Sequence, residues 1–183
     1  MTTSFLERFP VPKDLTIEFV GTFARFEYAL KRAAYVQGDE SSVSADWDRL
    51  ANELNALGAA ALAPVFKCSS YLQKCPPTKQ VLRAGELHWE LRKGTCGSAI
   101  GDVLVDVRTV RNNVFHGGKF PDGPEPEPLR DEQLIKDCLA VLKSVLEIPS
   151  LPPAIAACFA ADGEPAQMTE PGRSAPEEAK AHD

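Results

Sequence analysis

The sequence has no apolar run near the roughly 20 residues that a membrane-spanning helix needs. Its first residues, MTTSFLERFP, have neither the basic start nor the apolar stretch of a secretory signal. These absences predict a cytoplasmic protein with no membrane partner. Cysteine is present as an odd set of five (Cys68, Cys75, Cys96, Cys138, Cys158) without a C-x-x-C pair, and only three histidines accompany it. A zinc site or a disulfide framework is not indicated, so no metal or cofactor is expected and Cys68 and Cys75 read as ordinary thiols. The chain also lacks an excess of positive charge: 20 lysines and arginines face 26 acids, a formal net charge of −6. A domain that coats nucleic acid is usually basic, so any RNA contact must be local. The acid is concentrated late, because six acids and two bases lie between 149 and 183, which leaves −2 for the rest.

What is present is a chain of 183 residues, long enough for one core. Phe19, Phe23, Phe26, Leu30 and Ala33 recur at steps of four and three and predict a helix over 14–36, with Asp14 as its cap and Gly38 as its stop. Trp47, Leu50, Leu54, Leu57 and Ala61 predict a second over 46–62, capped by Ser44 or Asp46 and ended by Pro64. A third helix over 98–116 follows from Ile100, Val103, Leu104, Val107, Val110 and Val114, and a fourth over 131–148 from Leu134, Ile135, Cys138, Leu139, Leu142, Val145 and Leu146. Residues 63–97 carry Pro64, Pro76, Pro77, Gly85 and Gly94 and read as an irregular insertion, with a short helix from about Thr78 to Leu91. The segment FPDGPEPEP reads as a loop. The expected fold class is therefore all-α: an up-and-down four-helix bundle over residues 1–148 followed by an acidic, Pro/Ala-rich tail, 149–183, that is mostly disordered although Ile155 and Phe159 can dock locally.

One charge breaks the third apolar stripe. At roughly 100° per residue Arg111 falls about 20° from Ile100, among the valines. An arginine there needs a carboxylate, an interface or a phosphate. His116, five residues on, would point roughly 140° away on a continuous helix. The two meet only if the chain unwinds at Gly117-Gly118 or if two copies come together. A histidine at that helix end also has a plain role against the helix dipole.

The string R-N-N-V-F-H, Arg111 to His116, resembles the R-x4-6-H motif of ribonucleases of the HEPN superfamily (higher eukaryotes and prokaryotes nucleotide-binding), including the asparagine that often follows the arginine. The segment FARFEYALKRA, residues 23–33, is similar to the aromatic and acidic first helix in several of its branches. The likeness runs loosely over 14–148 and leaves the middle unaligned. It departs from the R-x4-H-x-Y variant, whose tyrosine is modified by a partner nucleotidyltransferase, because this chain has Gly118 at that place.

The resemblance implies metal-independent RNA cleavage, in which the ribose 2′-hydroxyl attacks the adjacent phosphate. His116 would then act as acid or base, Arg111 would stabilise the phosphate, and Asn112 would orient either. Glu27 is a further candidate, to pair with Arg111 or position His116. Asp106, Arg25, Arg32, Arg108 and Lys119 are candidates for helping to bind RNA. The implied protein is a toxin or defence effector that works on an RNA substrate, as a homodimer, under an antitoxin or other regulatory protein. Two other functions fit the same residues: a non-catalytic HEPN module that binds a nucleotide or a protein, and a helical bundle whose charges serve only structural ion pairs.

Overall fold

The computed structural model describes residues 11–92, 96–115 and 128–160. Helix α1 (Lys13–Arg32) buries Phe19, Phe23, Phe26 and Leu30, the face its spacing predicts. It opens at Pro12 with no side-chain cap, so Asp14 lies in the first turn and not at the cap. It ends four residues before the expected limit. The Tyr35 N–H reaches the Leu30 carbonyl at 2.9 Å and the Ala34 N–H reaches Lys31 at 3.2 Å, a Schellman closure that puts Ala34 in the left-handed region at φ 65°. Gly38 therefore does not stop the helix. It lies in a hairpin of β1 (Val36–Asp39) and β2 (Ser42–Ala45), whose turn is held by the Asp39 carboxylate accepting from the backbone and hydroxyl of Ser41 at 2.8 and 2.6 Å.

The second predicted helix is two. Helix α2 (Trp47–Ala56) is capped by Asp46, which accepts from the Arg49 N–H at 2.9 Å, and the chain then turns through Gly58 at φ 83°. Helix α3 (Ala59–Cys68) continues through Pro64 instead of ending there. Pro64 lies one turn inside that helix, so only the bond to the first-turn carbonyl of Ala60 is forfeited, and burial of Leu62 and Val65 in the core favours the helix. Helix α4 (Ser70–Lys74) is short and takes its cap from elsewhere: Asp137 accepts from the Tyr71 and Leu72 N–H groups at 2.9 and 3.0 Å.

A helix over Thr78–Leu91 is not what forms. The segment is an antiparallel hairpin of β3 (Thr78–Arg83) and β4 (Glu86–Leu91), with Leu82 opposite Leu87 and Ala84-Gly85 at φ 49° and 88° in the turn. Two consecutive positive φ angles make the tight turn that matches strand twist, and no helix contains them. Asn113 ties this hairpin to the next helix by donating to the Thr78 carbonyl at 2.8 Å.

Helix α5 (Ala99–Phe115) and helix α6 (Pro128–Leu146) complete the core with Ile100, Leu104, Val107, Ile135, Leu139 and Leu142. Proline suits the first position of α6, where its missing N–H has no partner to lose. Helix α7 (Pro153–Ala160) follows, buries Ile155 and packs on α1, where the Arg25 Nε donates to the Phe159 carbonyl. The first part of the expected disordered tail is thus ordered helix, and the rest, with most of FPDGPEPEP, lies outside the described residues. The all-α bundle is overturned: seven helices account for 66% of the described residues, but two separate two-stranded antiparallel sheets hold 15%. Among the described residues no helix is long and apolar enough to cross a membrane.

Candidate functional site

The last two turns of α5 lie against an aromatic group contributed by α1 and α2. Trp47 stacks on Phe23 and on Phe26, each at 5.4 Å between ring centroids, with interplanar angles of 25° and 18°. Two arginines of α5, three residues apart and so on one side of the helix, rest on this group. The Arg108 guanidinium lies 5.9 Å from the Trp47 ring, and that of Arg111 lies 5.4 Å from Phe23 and 4.6 Å from Phe115.

Arg111 is half-buried, as the helical wheel requires, but among the described residues it has no carboxylate that would make it a structural ion pair. Among the described residues its one hydrogen bond is from Nη1 to the Asn112 Oδ1 at 3.1 Å, and its buried Nε meets no acceptor. An unmet buried donor costs about 1–3 kcal/mol, which the two ring faces offset in part. Asn112 is exposed and fixes the fork of its neighbour. His116 lies just beyond the described residues, one position after the end of α5. Lys119 lies outside them too.

Glu27 is not with Arg111. It accepts from the Trp47 indole N–H at 3.0 Å and so orients the ring under Arg108. Arg25 is taken up by α7, where its guanidinium also lies 5.8 Å from the Phe159 ring, and Arg32 is exposed at the end of α1. Asp106 is unavailable to RNA, because it is only 6% exposed and faces Arg92 at 3.6 Å. Burial is the largest influence on its carboxyl and neighbouring Asp102 adds to it, so its pKa is pushed up to about 6 although Arg92 opposes. Burial also acts to raise Asp102, but the Cys96 N–H at 2.8 Å and Arg92 at 2.8 Å outweigh it and hold that carboxyl below the usual range.

Beside the arginines, α2 and α5 enclose a cleft of about 360 Å³ that sequence reasoning missed. Ala51, Leu104 and Val105 contribute apolar lining, and Asp48, Asn52 and Arg108 contribute polar lining. The spacing of Asp48 and Asn52, four apart on an amphipathic helix, is the one signal that could have joined them. All five cysteines are free. Burial raises the Cys68 thiol, which donates to the Val65 carbonyl at 3.2 Å, and Cys75 is half-buried. Among the described residues no group of three or more His, Cys, Asp or Glu side chains is placed to hold a metal ion. Comparison with models of known protein families, with curated proteins and with solved structures finds no match.

Proposed function

We propose that this chain is a metal-independent endoribonuclease of the kind its R-N-N-V-F-H string resembles, acting in the cytoplasm on an RNA substrate as a homodimer. The observation that carries the reading is Arg111: a half-buried guanidinium held between two rings and steadied by Asn112, with no carboxylate partner among the described residues and an unmet Nε donor. A phosphate satisfies all of this at once, because its non-bridging oxygens match the planar fork. In the reaction the ribose 2′-oxygen loses its proton to a base and bonds to phosphorus. The bond from phosphorus to the 5′-oxygen breaks, and that oxygen takes up a proton, which leaves a cyclic phosphate and a 5′-hydroxyl. His116 is assigned the proton transfers and Arg111 the charge that builds on the phosphate. Such an activity is harmful if unrestrained, which makes an antitoxin or other regulatory protein the expected partner of a toxin or defence effector.

The test is RNA cleavage by the purified protein in the presence of a chelator, with cyclic phosphate ends on the products. His116→Ala should lose about 10²- to 10⁴-fold and Arg111→Ala about 10²- to 10³-fold, with both variants remaining folded. Full activity in the His116 variant removes the catalytic assignment.

A further inference from the structure

The cleft between α2 and α5 is bounded by three polar side chains, the exposed Asp48 and Asn52 and the half-buried Arg108. Among the described residues Asp48 and Asn52 make no hydrogen bond or ion pair, and Arg108 has only its contact with the Trp47 ring. Its volume of about 360 Å³ falls in the range of small-ligand sites, about 300–1,000 Å³. Apolar side chains lie among the polar ones on both helices, Ala51 on α2 and Leu104 and Val105 on α5. A planar ligand with a polar edge and an anionic substituent suits this lining: its face can rest on the aliphatic side chains, its edge on Asp48 and Asn52, and its anion on Arg108.

The polar edge can be specified. A carboxylate only accepts and has two oxygens side by side, so it favours a partner with two parallel N–H groups. The amide of Asn52, one turn along α2, adds a donor for an acceptor beside them. Among the four RNA bases only guanine presents two adjacent donors, N1–H and N2–H, followed by an acceptor, O6. Cytosine and adenine offer one donor group on that edge, and uracil offers one donor between two acceptors.

We infer that this cleft is a guanine nucleotide subsite, with the base between Asp48 and Asn52 and the phosphate on Arg108. Arg111, one turn further along α5, then faces the next phosphate. That placement beside the cleaved bond rests on the ribonuclease reading, whereas occupancy of the cleft by the nucleotide does not.

The experiment is calorimetric titration of the full chain with guanosine, adenosine, cytidine and uridine 5′-monophosphates in turn, with chelator present. GMP is expected to bind at least about tenfold more tightly than the other three, the margin of one charge-assisted pair. Asp48→Asn should remove that preference with little change for the other nucleotides, and Arg108→Ala should weaken all four alike. Unchanged thermal midpoints in both variants assign these losses to the cleft. Absence of GMP binding at millimolar concentration, equal binding of all four, or an intact preference in Asp48→Asn overturns the proposal. The two readings fail separately. RNA cleavage without GMP binding ends the guanine subsite and spares the ribonuclease, and selective GMP binding without cleavage of any RNA does the reverse.

Discussion

Arg92 and Arg111 are both arginines in contact with α5, and their surroundings differ in one respect that decides their roles. Arg92 lies against two carboxylates, Asp102 at 2.8 Å and Asp106 at 3.6 Å, and so holds the segment around Cys96 to the start of α5. Arg111 has ring faces and one amide. The first arrangement is structural, and Asp106 bears part of its cost. Burial raises its carboxyl to about 6, above an unfolded value near roughly 4. A raised acid favours the fold when protonated, so its contribution is fully present below the unfolded pKa and is lost as pH rises through about 6. Asp106→Asn keeps the shape and removes the charge. The variant should be more stable than the parent at pH 8, by on the order of 1–3 kcal/mol, and the gap should close by pH 4. Urea denaturation of both proteins at the two pH values measures this. A gap that widens on acidification would mean that the Arg92 pair outweighs burial.

At the scale of elements, α1 and its hairpin give a paired prediction of opposite signs. Ala34 stands where the Schellman closure requires the left-handed conformation, a place that costs a residue with a Cβ about 1–2 kcal/mol. Ala34→Gly relieves this and loses part of the gain to the greater freedom of the unfolded chain, so a rise of about 0.5–1 kcal/mol is expected. Gly38, four residues on, has φ 128°, and a Cβ added there would lie 2.1 Å from the Ser42 carbonyl oxygen. Gly38→Ala should therefore cost at least about 1 kcal/mol, up to the free energy of fraying the exposed hairpin. Thermal unfolding of the two variants checks both, and a loss in Ala34→Gly would refute the strained closure. The same region shows what the sequence made legible. The apolar stripes of α1, α2, α5 and α6 repeat at helical spacing because they face one core, and most of their residues are buried there. Ala33, Leu57, Ala61 and Leu146 are only partly so, and buried Ala29, Ala51 and Val141 fall outside the stripes as read. The hairpins carry no such stripe. All four residues of β1 are exposed, the β3–β4 hairpin turns on Ala-Gly in place of the stronger Asn-Gly, and its Leu82 and Leu87 are 70% and 69% exposed. At the site, Arg111 stands out in the sequence because it interrupts an apolar stripe, whereas Asn112 is marked only by its place beside Arg111 in the R-N-N-V-F-H string. The Glu27–Trp47 bond and the Arg108–Trp47 contact join distant segments, and nothing local marks them.

For the whole molecule, the open question is geometric, because α5 remains helical up to Phe115 and Arg111 rests on Phe23 of the same chain. On a helix that continued by one more residue, His116 would point roughly 140° from Arg111, too far round to share one phosphate. In the proposed homodimer a two-fold axis near the end of α5 would resolve the conflict, since each arginine would then meet the histidine of the other copy. Among the described residues at the end of α5, Phe115, 51% exposed and stacked on Arg111, is the apolar one left uncovered, for Val110 and Val114 are buried in the core. A negative net charge of −6 is no obstacle to this, provided the acids lie away from the contact. The expectation is that Arg111→Ala and His116→Ala, each inactive alone, recover part of the RNA cleavage when unfolded together and refolded as mixed dimers. One cleft in each mixed dimer then keeps an arginine and a histidine. Sites built within single chains would each lack a member, and the mixture would stay inactive. Mass measurement of the mixed species fixes the denominator, and Phe115→Asp, which puts a charge at the proposed contact, should lower both dimerisation and cleavage in parallel. A parent protein that is monomeric throughout the assay range, yet cleaves RNA, would place the whole reaction within one chain and require His116 to turn toward Arg111 after the end of α5.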